Sequence, residues 1–148
     1  MKMKPTILAS LLSLCASTSL WAQEGHAEYP KPLSKHVGES DLSYIANRCG
    51  GLSVAVLSVS KKGNNVGSQL TSVFEFYHTY SVWHLGDAQG LPRGDAIKSV
   101  RKSFKEFAGV YVEYLNASYV ATGEYVTDPL VLDDLSTCSD IKNHLQDS

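Results

Sequence analysis

Methionine is confined to positions 1 and 3, and the three cysteines stand far apart at 15, 49 and 138, never as C-x-x-C. These gaps exclude several chemistries. Without C-x-x-C-H there is no attachment site for c-type haem, and without a methionine beyond position 3 a Met-ligated haem is excluded as well. Neither Cys49 nor Cys138 has a histidine at metal-ligand spacing. A glycine-rich phosphate loop, a nucleophile elbow, an internal repeat and a Ser/His/Asp set are all missing, so no catalytic residue is assigned. Positive charge is scarce too: 13 Lys and Arg face 15 Asp and Glu, a formal net charge of −2. A nucleic-acid binder would carry the opposite balance. No metal and no cofactor are expected.

What is present starts with an export leader. Lys2 and Lys4 precede an apolar run from Ile7 to Leu14, then small residues and Leu20-Trp21-Ala22, which predicts a signal peptide over 1–22. The run is far shorter than the roughly 20 residues that span a bilayer, and no integral membrane segment is expected after cleavage. Removal of Lys2 and Lys4 makes the remainder more acidic still. Export implies a periplasmic or secreted protein, and in an oxidising compartment Cys49 and Cys138 are expected to pair.

Residues 23–38 (QEGHAEYPKPLSKHVG) hold two prolines and two glycines with little apolar periodicity, and read as a solvated arm before a helical domain over 39–148. Turn signals at 63–65, 86–94 and 123–129 then divide the chain into four segments. In the first, Leu42, Ile45, Cys49, Leu52, Val56 and Val59 recur at helical spacing behind Ser40 or Asp41 as a cap. The stretch LSVAVLSVS over 52–60 also alternates as a strand would, but its join to the Leu42–Ile45 stripe favours continuous helix. Gly50 and Gly51 then serve for close approach of a neighbour.

The second segment carries Leu70, Val73, Phe74, Tyr77, Tyr80 and His84. The third carries Ile97, Val100, Phe104, Phe107, Ala108, Tyr111, Leu115 and Ser118, with Asp95 as cap and Gly123 as stop. The fourth opens on Asp128-Pro129 and presents Val131, Leu135, Cys138 and Leu145. The class is all-α, and the expected architecture is an antiparallel up-down-up-down four-helix bundle. In it Cys49 and Cys138 lie roughly 12 to 14 Å from the same end, at about 1.5 Å per residue, so a disulfide joins the first and last helices.

Within VFEFYHTYSVWH (73–84), Glu75 and His78 have the E-x-x-H spacing of di-iron bundles, but the motif occurs once, because Asn116 follows Glu113 where a histidine is needed. On a wheel of about 100° per residue, Glu75 points almost directly away from the apolar stripe, and both residues read as a solvated face. His84 lies on the stripe, as a hydrogen-bonded core histidine or as the centre of a pocket. Phe76 and Trp83 sit about 90 to 110° off the stripe centre, on one line, with Tyr80 between them. With Val110 and Tyr114 on the third helix they form a candidate patch for a partner or ligand.

Arg93, Lys98, Arg101, Lys102 and Lys105 form a basic flank and a candidate anion contact, unless Asp140 and Asp147 of the last helix pair with them. The function expected is therefore binding: an exported helical domain that takes an unknown protein or small ligand and can self-associate. An enzyme or cofactor carrier with a pocket around His84 is the first alternative. A structural or stress-protective envelope protein is the second.

Overall fold

The computed structural model describes residues 31–38, 40–60 and 65–147. The expected leader, the arm from 23 to 30 and most of the turn at 63–65 lie outside the described residues. The described chain is all-helical, with no strand: α1 Leu42–Val59, α2 Asn65–Trp83, α3 Arg93–Thr122 and α4 Pro129–Gln146. A 3-10 turn, Leu33–Lys35, precedes α1, and a π turn, His84–Ala88, extends α2.

Capping chemistry sets the helix ends. Asp41 starts α1 by accepting the Ser43 N–H at 3.0 Å. The segment 52–59 continues that helix, so the strand alternative is wrong there. At α4, Asp128 Oδ1 accepts the N–H groups of Leu130 at 2.8 Å and Val131 at 3.4 Å, while Pro129 takes the first helical position. Gly123 ends α3 in the left-handed region at φ +79°, its N–H bonded to the Tyr119 carbonyl at 2.8 Å. Asp95 is not the cap of α3. Pro92 holds that position without a side-chain bond, and Asp95 falls in the first turn, where its charge still complements the helix dipole.

α1 is the central helix. It packs most extensively against α3 and α2, and less against α4. By length and composition it is the one helix among the described residues apolar enough to cross a membrane, yet 56% of it is buried inside the fold. Ile45, Ala46, Cys49, Leu52, Ala55 and Val56 join Tyr77 of α2, Val100, Phe104, Tyr111 and Leu115 of α3, and Val131 and Cys138 of α4 in one core.

Two small residues allow that contact. A Cβ on Gly50 would stand 2.0 Å from the Phe104 ring, and one on Gly51 would stand 2.3 Å from Phe107 Cβ and 3.0 Å from the backbone of Phe104 and Ala108. Rotating a side chain relieves little of the second clash, because it involves Cβ and main-chain atoms. Alanine gains about 1 kcal/mol of helix propensity over glycine, but overpacking costs about 1 to 3 kcal/mol and here forces two helix backbones apart. Gly51→Ala is therefore expected to destabilise the domain by about 1 to 2 kcal/mol in urea titrations. An unchanged or raised midpoint would show that α1 and α3 are not in such close contact.

The expectation of a solvated arm through residue 38 fails at Leu33, which is fully buried. Its 3-10 turn docks on α4. The Leu33 N–H donates to Asp134 Oδ1 at 2.5 Å, and Ser34 bonds Asp133 through both its N–H (3.3 Å) and its hydroxyl (3.1 Å). Cys49 and Cys138 form the disulfide between α1 and α4, with Cα atoms 5.6 Å apart. The Tyr77 hydroxyl donates to the Cys138 carbonyl at 2.6 Å and so ties α2 to the same place.

Candidate functional site

The densest polar cluster is buried beside the disulfide. Arg48 and Asp134 have no exposed side-chain surface and meet at 2.6 Å. Arg48 Nε donates to the Tyr111 hydroxyl at 2.7 Å, and Nη1 donates to the Tyr44 hydroxyl at 3.3 Å. The Tyr111 hydroxyl in turn donates to Asp134 Oδ2. Burial and the neighbouring Asp134 charge raise the Tyr111 phenol well above its usual range, against the opposing pull of Arg48, so it stays a neutral donor. For Arg48, burial works against the charge, but Tyr111, Asp134 and Tyr44 outweigh it and keep the guanidinium protonated. Arg48, Asp134 and Tyr111 are buried, and of this cluster Tyr44 alone is partly exposed. The effect of the cluster is to join α1, α3, α4 and the arm.

Surface sites lie at the α2–α3 side. Trp83 ends α2 and is 57% exposed, the most exposed large ring among the described aromatics. It stands on a ridge between two open cavities. One, of about 480 Å³, is bounded by His78, Val82, Trp83, Asp87, Arg93 and Ile97. The other, of about 470 Å³, is bounded by Phe76, Tyr80 and Trp83 with Glu75 and Gln146 at its edges. The π turn carries the chain beyond α2, and its Asp87, with Leu91 just after the turn, lines the first cavity together with Trp83.

The aromatic patch expected from the sequence is thus partly assembled. Phe76 and Tyr80 are half-buried and border the same cavity, and Tyr80 lies 6.1 Å from Trp83 between ring centroids. Burial, then the charge of Asp41, pushes the Tyr80 phenol up. Val110 and Tyr114 are half-buried on α3 and border neither of these cavities. His84 is half-buried and stacks on Tyr80 at 6.2 Å and 10°, and it too borders neither cavity.

The E-x-x-H pair separates. Glu75 is exposed, but His78 is not on a solvated face: its ring stacks on Phe74 at 5.7 Å and meets Phe104 edge-on at 6.1 Å. Burial, then the nearby Arg101 charge, lowers the His78 pKa below its ordinary value, so the ring is neutral near pH 7. A wheel of one helix cannot show this, because α3 covers that side of α2. The i, i+4 pairing of Phe74 with His78 was the available signal. Among the described residues, no three His, Cys, Asp or Glu side chains gather as a metal site.

The basic flank is exposed throughout, and the expected pairing with Asp140 and Asp147 does not form. Instead Lys98 meets Asp95 at 3.5 Å and Lys102 meets Glu106 at 3.9 Å, both within α3. Among the described residues, Arg93, Arg101 and Lys105 make no ion pair. Arg93 reaches the cavity beside Trp83. Arg101 and Lys105 border a third cavity, a trough of about 320 Å³ that also includes His78.

Across known proteins, no family model, no curated protein and no solved structure matches this chain.

Proposed function

We propose that this is a small exported binding domain, periplasmic or secreted after loss of residues 1–22, that captures a partner through the Trp83 ridge. The observation that carries the reading is a tryptophan more than half exposed between two cavities, with Tyr80 on one side and Arg93 on the other. Tryptophan, tyrosine and arginine are the side chains that dominate binding energy at protein interfaces. Two features support a recognition scaffold over a catalyst: the strongest polar network is sealed in the core, and the exposed rings sit on a helix and not on a loop. The short connections and the α1–α4 disulfide support an up-down-up-down arrangement of the four helices.

The leader contains Trp21, so cleavage after Ala22 leaves Trp83 as the sole tryptophan and its emission as a direct report on the ridge. Trp83→Ala is expected to change stability by no more than about 0.5 kcal/mol, the usual range for surface substitutions. In the unsubstituted protein the emission is expected to move to shorter wavelength when a partner, or a second copy at high concentration in sedimentation, covers the ring. A loss of several kcal/mol in the alanine variant would show that the indole belongs to the core, and the reading would fall.

A further inference from the structure

Below the basic flank, Val54 of α1, Phe74 of α2, and Phe104 and Ala108 of α3 form the apolar floor of the trough of about 320 Å³. Among the described residues, no carboxylate borders it. Its charged lip is Arg101 and Lys105, one helical turn apart on α3, and these are two of the cations that make no ion pair among the described residues. Among the described residues, Lys98 and Lys102 are ion-paired within α3, whereas Arg101 and Lys105 are not. We propose that this trough binds an amphipathic monoanion of the alkyl carboxylate class, its chain along Phe74 and Phe104 and its head between Arg101 and Lys105.

Three features select that chemistry. The floor is aliphatic and aromatic carbon, which favours a hydrocarbon chain over a sugar or a nucleotide. The volume is at the small end of ligand sites, which suits a chain of medium length. The lip carries two positive charges, and the His78 ring beside them is held neutral by burial and by Arg101, so it offers a ring N–H or a lone pair without adding a third charge. An arginine fork over an apolar surface binds carboxylate in a bidentate manner, and a lysine one turn away adds a point charge. The trough shares His78 with the Arg93 side of the Trp83 ridge and no residue with its Tyr80 side, and it does not rest on capture of a protein partner there.

The test uses the cleaved protein and sodium octanoate in isothermal titration, with 1-octanol (chain without charge), acetate (charge without chain) and octyltrimethylammonium (opposite charge) as comparisons. Octanoate is expected to bind at least tenfold more tightly than any of the three and to shift the amide signals of Val54, Phe104 and Ala108. The exposed pair Arg101→Gln and Lys105→Gln is expected to weaken octanoate at least tenfold with an unchanged melting temperature, while Lys98→Gln leaves it unchanged. Equal binding of octanol would reduce the trough to an apolar crevice and overturn the proposal. So would octanoate binding that survives the double substitution, or no binding at all. A fourth arm adds phosphatidylglycerol vesicles: capture by vesicles without binding of free octanoate would assign the flank to a membrane surface instead.

Discussion

Asp134→Leu is expected to cost the domain about 3 to 5 kcal/mol, enough to unfold much of it if total stability lies in the ordinary range of about 5 to 15 kcal/mol. Among the described residues, the substitution removes the one carboxylate that pairs with the fully buried Arg48 and leaves the guanidinium with the Tyr111 and Tyr44 hydroxyls. It also strips the partner from the Leu33 N–H and frees the arm. Arg48→Met is expected to cost less, because Asp134 keeps the Tyr111 hydroxyl and the Leu33 N–H as donors. The double variant Arg48→Met with Asp134→Leu is expected to recover most of the loss, since a buried pair replaced by apolar groups of similar volume is often near neutral. Urea titrations of the three variants measure this cycle. If each single substitution costs under about 1 kcal/mol, the pair is not sealed from water.

The second large effect is expected from the disulfide. Replacing both Cys49 and Cys138 by alanine opens a loop of 89 residues and is expected to remove about 2 to 4 kcal/mol, read as a lowered urea midpoint with a steeper slope, because the denatured chain without the cross-link is less compact. Alanine is the informative substitution because serine would add two hydroxyls to a site where both positions are buried. Non-reducing mass spectrometry of the protein lacking residues 1–22 should find one intramolecular link. Two alkylatable thiols would contradict it.

Both effects concern residues a few ångströms apart, yet only one of them was legible in the sequence. Cys49 and Cys138 lie on apolar stripes at helical spacing, and their matched distance from one bundle end follows from residue counts. Arg48 and Asp134 carry charge, and charge on a helical wheel reads as surface. The sequence did hold a signal. Arg48 is the sole charged residue in α1, and a lone charge in an otherwise apolar helix needs a countercharge when that helix is central. Asp134 lies three residues after Val131 and four before Cys138, on the stripe itself. Reading the two together required knowing that α1 is surrounded, and periodicity within one helix cannot supply that. Leu33 escaped for a similar reason: one leucine in a proline-containing segment has no period, and its burial depends on a partner 101 positions away.

The candidate surface follows the same division. Phe76 and Trp83 were found by their displacement from the stripe, and Tyr80 by its place on the stripe between them in sequence, both properties of one helix. The His78 trough needs two helices and α1 beneath them. The basic flank was legible as a row of residues, but which cations are spared depends on Asp95 and Glu106, neighbours in α3 itself and not the aspartates of α4.

The burial of both cysteines of the disulfide also bears on time. Cys49 is 0% and Cys138 1% exposed, so a reducing agent in solution has no line of approach to either sulfur while the helices are packed. Thiol attack must wait for the molecule to open. The lifetime of the cross-link in a reducing milieu is then governed by how often the domain unfolds, and the redox poise of the surroundings decides only what happens to molecules that already have.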